Sequence, residues 1–398
     1  MTSTIRDPLD ATRYRPGGLE IASGMVFGID AEAEPLPAVP RFRTAREAIE
    51  HAVLAGLLHP PCAVSFSGGR DSSAVLAIAA HVARREGLPL PVPVTLRFPN
   101  CAEADETAWQ EQIIAHLRID DWRRVELTDE IDVVGPYARR VLARHGLLWP
   151  FNAYFHAPIA DQATGGSVLT GVGGDELLLP PTYRRVAMIL AAKTRPRLRD
   201  VPRVARAVAP RSVRRRLHER DYRSGEQLAW LRPEARRELA RVRARAATEE
   251  PIRWDEWVRR FWWRCRYRRT GCDSLDRVIA DADGAMGVHP LCDPDFLVAI
   301  AAERSQLGFR NRTQAMEALF GDLLPQTILS RNSKSRFNTA MWEHYAREFD
   351  AQWDGSGVDA SIVDVAGLRA EWAADRPDAR SFLLAQQAWL DKNERSAP

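Results

Sequence analysis

Ser67-Gly68-Gly69-Arg70-Asp71-Ser72-Ser73 constrains this chain more than any other stretch. One apolar run, 62–66, precedes it and another, 74–80, follows. That order predicts a buried strand, a glycine turn and a helix packed back on a sheet. Glycines at 68 and 69 let the backbone approach an anion, because no Cβ stands in the way. Backbone N–H groups and the hydroxyls of Ser67, Ser72 and Ser73 then face the anion at a helix N-terminus, where the dipole favours negative charge. The stretch is a phosphate cradle, but the spacing is not that of the Gly-Lys-Ser/Thr loop. Asp71 is the odd member. A carboxylate inside an anion-binding turn makes sense if Mg²⁺ lies between it and the phosphates.

A second acid-tipped turn, Leu169-Thr170-Gly171-Val172-Gly173-Gly174-Asp175-Glu176, also follows an apolar stretch and leads into Leu177-Leu178-Leu179. The first motif resembles the S-G-G-x-D-S pyrophosphate loop of the N-type ATP pyrophosphatases. The second resembles the G-x-G-G-D-E segment of asparagine synthetases, β-lactam synthetases and lasso-peptide cyclases. The resemblance covers roughly residues 61–340, with a fainter match at Ala388-Trp389-Leu390. It implies an α/β fold: a doubly wound parallel sheet of the adenine nucleotide α-hydrolase-like type, with a helical C-terminal subdomain. The expected division is an arm and lead-in helix over 1–60 and a synthetase domain over 61–398, carrying an arginine-rich helical insertion at about 184–250.

At 45% hydrophobic and 27% charged residues the composition is that of a globular protein. No apolar run is long enough for a bilayer and the N-terminus shows no signal-peptide core, so no membrane is expected and the cytoplasm is the expected compartment. Five scattered cysteines without C-x-x-C spacing indicate neither disulfides nor zinc. Of the 56 Lys and Arg residues only 193, 334 and 392 are lysine. Against that arginine bias each surviving lysine is informative. The arginine-dense 184–216 stretch reads either as a patch for RNA or an acidic peptide, or as a solvated surface. Without stacking aromatics it argues against nucleic acid.

Along the chain, 19–29 is expected to hold a short hairpin, 44–58 an amphipathic helix, and 92–98 and 122–127 two further strands. The resemblance places the backbone near Phe66 and Leu96 against adenine, with the acidic pair Asp105-Glu106 closing one side of that pocket. A long helical pattern runs over 254–282, its tryptophans expected in the core. The segment 284–293 resembles the family's G-V-E-x-R-x-P-F-L-D. It departs at Met286, where asparagine synthetases have a glutamate base, and Val172 stands where β-lactam synthetase has tyrosine. His289 lies close by and is a candidate for proton removal, with a structural histidine the alternative. Leu324-Pro325 and the following 326–337 resemble the loop whose lysine meets the reacting centre, which falls on Lys334. A compact ammonium can follow charge developing on a small oxyanion better than a planar guanidinium. Arg310 matches a further basic family position and is expected to help hold pyrophosphate.

The resemblance implies an ATP-dependent, AMP-forming carbon–nitrogen ligase. A carboxylate is adenylated with release of pyrophosphate, and an amine then takes the acyl group, as in specialised-metabolite or peptide biosynthesis. The pyrophosphate and nucleotide site is expected at Phe66, Ser67, Gly68, Gly69, Asp71, Ser72, Ser73, Leu96, Gly173, Gly174 and Arg310. Mg²⁺ is expected on Asp71 and Asp175, and Glu176 is expected to support the turn. Thr2 stands where a glutaminase domain would carry cysteine, and about sixty residues precede the first loop, so glutamine is not the expected nitrogen source. The partners are then small-molecule or peptide carboxylates and amines, with a homodimer left open. The alternatives are an ammonia-dependent asparagine synthetase and a nucleotide-binding regulator that has lost catalysis.

Overall fold

The computed structural model describes residues 14–225, 228–332 and 338–396. Five parallel strands form one sheet in the order β3-β2-β1-β4-β5. They are β1 (Cys62–Ser65), β2 (Val92–Arg97), β3 (Arg123–Glu126), β4 (Ser167–Leu169) and β5 (Met286–Val288). Ala63 pairs in register with Val92 on one side and Val168 on the other. The chain builds outward from β1 through β2 to β3, then returns to β1's other side with β4. The strand order therefore reverses between β1 and β4, and the crevice of a doubly wound sheet opens at such a place, beyond the carboxyl ends of the strands. Both glycine-acid motifs start there.

Side-chain alternation along the strands feeds two cores. Cys62, Val64 and Leu169 point into a cluster with the helices Ala45–Leu57 and Arg70–Glu86, while Ala63, Val94 and Val168 enter the cluster on the opposite face. With both faces covered, the central strands β1 and β4 are buried, whereas the edge strand β3, Arg123-Arg124-Val125-Glu126, alternates toward solvent. Helix Arg70–Glu86 is buried from Ser72 to Ala80, as expected of a helix enclosed by neighbours on every side. The sheet, the lead-in helix and the strands expected at 92–98 and 122–127 therefore stand, each within one or two residues of the expected ends.

Two expectations fail. Residues 19–29 do not form a hairpin. Gly18–Ser23 is a short helix, closed by Gly24 in the left-handed conformation at φ +66°. Glu20 accepts from Gly17 N–H (2.9 Å) and Phe27 N–H (3.0 Å) and pairs with Arg266 (2.5 Å), so a carboxylate and a distant arginine fix this segment. Nor is 254–282 one helix. Trp254–Glu256 runs into a π-helical turn, Trp257–Trp262, and the chain is extended at Cys265 before the helix Arg266–Ala280. The break has a clear cause: Asp30 N–H donates to Arg264 O (2.7 Å) and Arg266 N–H to Gly28 O (3.0 Å), so the arm takes backbone groups a continuous helix would have used. Trp254 and Trp262 are core residues as expected.

Among the described residues the arginine-dense region holds four α-helices, Arg184–Leu190, Val201–Val208, Arg211–Gly225 and Pro233–Glu249. Among the described residues no helix is long and apolar enough to cross a membrane.

Candidate active site

The first loop leaves β1 at Phe66, whose ring is buried and whose backbone stays tied to β2. Phe66 N–H donates to Val94 O (2.9 Å), and Phe66 O accepts from Thr95 Oγ1 (2.8 Å). Leu96 follows on the same strand. Gly68 sits at φ +83°, and a Cβ there would meet Gln110 Cγ at 2.8 Å. The turn therefore requires glycine twice over, for conformation and for space. Gln110 Nε2 donates to Ser67 O (3.0 Å). Within the turn, Ser72 Oγ and Ser73 Oγ donate to Gly69 O (3.1 and 2.7 Å), and Gly69 N–H donates to Ser67 Oγ (3.2 Å). The hydroxyls thus close the loop around the start of helix Arg70–Glu86.

The second loop leaves β4 beside it. A Cβ at Gly174 would lie 2.3 Å from Asp71 Cγ, and one at Gly171 would lie 3.0 Å from Ser72 N. The two motifs, a hundred residues apart in sequence, are in van der Waals contact, and glycine makes the contact possible. Gly173 adopts φ +91° with its α-carbon turned to Cys292, whose Sγ donates to Val172 O (3.4 Å).

A guanidinium joins the two acids. Arg312 Nη1 donates to Asp175 Oδ1 at 2.5 Å, and Nη2 pairs with Asp71 Oδ2. Asn311 caps the helix Arg312–Phe320 by accepting from Gln314 N–H (2.8 Å), so Arg312 is its first residue and is aimed from a fixed end. Asp71 is largely buried. Burial pushes its carboxyl up to about 6, against the pull of Arg312. Its other oxygen, Oδ1, is buried without a hydrogen-bond partner. A buried carboxylate with an unused oxygen, facing a second carboxylate across a cation, fits a divalent metal held by few protein oxygens. Among the described residues no group of three or more His, Cys, Asp or Glu could hold a metal ion, so the donors offered are this pair.

Arg331 approaches from the other side. It is buried, donates from Nη1 to Gly68 O (2.8 Å), pairs with Glu106 and lies 4.6 Å over the Trp109 ring. Glu106 thus answers an arginine. Its neighbour Asp105 accepts from Thr107 N–H (2.9 Å) at the start of the helix Thr107–Leu117. Glu176 accepts from Tyr267 OH (2.9 Å).

His289 stands behind the second loop. Nδ1 is 2.6 Å from Thr170 Oγ1 and Nε2 is 3.1 Å from Asp276 Oδ1, so both ring nitrogens are engaged. Burial works against a charged ring, but its contacts with Cys272 and Asp276 outweigh it and push His289 up to about 9. Arg310 is exposed, with its N–H bonded to Gln314 Oε1 (2.7 Å); Arg312, two residues on, is the one that reaches the acids. Lys334 lies outside the described residues.

The asparagine synthase family matches residues 44–391. The chain belongs to the asparagine synthase family. No curated protein matches it. Among solved structures, NAD+ synthetase from Burkholderia pseudomallei is 19% identical, covering 36% of this chain and 58% of its own, with a TM-score of 0.24.

Proposed function

We propose that this asparagine synthase family member joins a carboxylate to an amine at the expense of ATP, through adenylation and release of pyrophosphate. The reading rests above all on one observation: the Asp71 and Gly174-Asp175 turns touch at the crevice between β1 and β4, with a cation already bridging them. In this reading the loop from Ser67 to Ser73 cradles pyrophosphate at a helix N-terminus, with Gly173 and Gly174 alongside. Phe66 and Leu96 lie at the strand ends where adenine is expected. Asp71 and Asp175 would hold Mg²⁺, which would supply positive charge against the phosphates.

Arg312 then has two tasks. It holds the paired carboxylates in place without metal, and it offers its guanidinium to the departing pyrophosphate with metal present. We assign it the role first expected of Arg310. Arg331 fixes the carbonyl of Gly68 and so the curvature of the cradle. Three residues on, Lys334 is proposed to stabilise charge on the acyl centre in both half-reactions. With both nitrogens bonded, His289 is proposed to hold the Thr170 turn at the root of the second motif.

The carboxylate oxygen attacks the α-phosphorus of ATP, and the bond to pyrophosphate breaks. The amine nitrogen then attacks the acyl carbon, and AMP leaves with the carboxylate oxygen. Incubation with ATP, Mg²⁺ and a panel of acids and amines should give equal amounts of AMP and pyrophosphate. Asp175→Asn and Lys334→Ala should each reduce this by about a hundredfold or more. ADP as the nucleotide product, or full turnover by both variants, would overturn the assignment.

A further inference from the structure

Positive charge is concentrated in one part of this chain. Residues 184–225 hold fourteen Lys and Arg against three Asp and Glu, a surplus of eleven, while the whole chain carries only +3. Exposed large aliphatic side chains gather in the same region: Leu190, Leu198, Val201, Val208 and Val213, of which Leu198 is 92% exposed. A solvated charged surface does not need them. Together, cations and aliphatics make an amphipathic face.

Part of that face, at Leu190 and Val208, is concave. A cavity of about 730 Å³ opens between the helices Arg184–Leu190, Val201–Val208 and Arg211–Gly225 on one side and the π-helical turn Trp257–Trp262 on the other. Leu190, Val208 and Phe261 line it, with Arg211, Arg214 and Arg260 among them. Its acids are already engaged: Glu249 pairs with Arg211, Glu250 accepts from Thr182 Oγ1 (3.3 Å), and Glu256 lies 3.8 Å from Arg253. Arg264 donates to the carbonyls of Asp30 and Ala31, bonds that leave its charge uncancelled, while Arg214 donates to those of Ala207 and Thr248 with Glu250 nearby. Arg260 is exposed on the far wall.

We propose that this groove binds an acidic peptide that also carries aliphatic side chains. Nucleic acid would call for aromatic platforms rather than leucine and valine. A bilayer would call for a flat or convex apolar strip rather than a hollow with cations on both walls. An acidic peptide satisfies both features at once, its carboxylates meeting the arginines and its aliphatic side chains entering the hollow. The proposal is independent of the ligase reading, because the groove lies apart from the paired acids and its occupancy is measured without nucleotide.

The test is fluorescence anisotropy on the full chain with a short dye-labelled peptide of Glu with Leu at helical spacing. Saturable binding is expected, weakening about tenfold or more as salt rises from about 0.05 to about 0.3 M. The same peptide with Lys for Glu should not bind. Arg260→Glu and Val208→Asp, each checked by circular dichroism for unchanged fold, should each weaken binding about tenfold. Equal binding of the Glu and Lys peptides, or wild-type binding by both variants, would overturn the proposal. So would tighter binding of tRNA or of phosphatidylserine vesicles with the same sensitivity to the two substitutions, which would make this a nucleic-acid or membrane surface.

Discussion

Replacing Arg312 with alanine should destabilise the protein in a way that depends on pH. Arg312 and Asp71 are only 15% and 14% exposed, whereas Asp175 is 47% exposed. Removing one member of a buried pair costs about 3–5 kcal/mol, while the exposed half of the bridge adds at most about 1. The carboxyl escapes part of that cost by taking up a proton. Burial already raises Asp71 from 3.8 to about 6 with Arg312 in place, so without it only Arg70 opposes burial and the value climbs further. A raised carboxyl in the folded state means stability is lost as pH rises from 3.8 through that value. Each further unit is worth about 1.4 kcal/mol, so the loss grows with pH toward the buried-pair cost of about 3 kcal/mol. Urea unfolding followed by tryptophan fluorescence should therefore show little difference between wild type and Arg312→Ala near pH 4. The gap should open above pH 6 and reach about 3 kcal/mol near pH 8. Adding Asp71→Asn should recover most of the loss, because the uncompensated charge is gone. An equal gap at both ends of the range, or no recovery in the double variant, would refute the reasoning.

Gly174→Ala places a methyl 2.3 Å from Asp71 Cγ and should cost about 1–3 kcal/mol of stability, with metal-dependent nucleotide affinity falling alongside it; isothermal titration reads the second effect. Arg331→Met strips the partner from buried Glu106 and the donor from Gly68 O, and denaturant unfolding should show a loss of about 3 kcal/mol or more. His289, raised from 6.5 to about 9, contributes stability that is complete below pH 6.5 and lost as pH rises through 9. Wild type should lose up to about 3 kcal/mol over that window and His289→Gln much less. His156, held down to about 4 chiefly by burial, acts at the other end, with stability lost as pH falls from 6.5 through 4.

The parts of the site legible in the sequence are those whose chemistry is local. Ser67 to Ser73 and Gly171 to Glu176 each carry their glycines, hydroxyls and acid within eight residues, and the flanking apolar runs declare strand and helix. Their meeting follows from a parallel sheet whose order reverses between them. Arg312 and Arg331 were not legible. Each acts on a partner more than two hundred residues away, at Asp71 and Gly68, and although Arg331 lies in the segment that drew notice for Lys334, nothing local marks either arginine's partner. Arginine bias, which made Lys334 conspicuous, hid the residues that do the holding. The same physics explains the failed hairpin, since Glu20 shapes residues 17–27 through Arg266, and the broken helix, since backbone from the arm enters at Cys265. Tertiary hydrogen bonds overrode a local pattern in both places.

The central claim is that Asp71 and Asp175 share one divalent cation on a nucleotide. Binding of α,β-methylene-ATP, titrated with Mn²⁺ and followed by electron paramagnetic resonance of the free ion, tests it without turnover. Asp71→Asn and Asp175→Asn should each weaken metal-dependent binding about tenfold or more, and the double variant should be little worse than either alone. Wild-type metal affinity in both single variants would contradict the account.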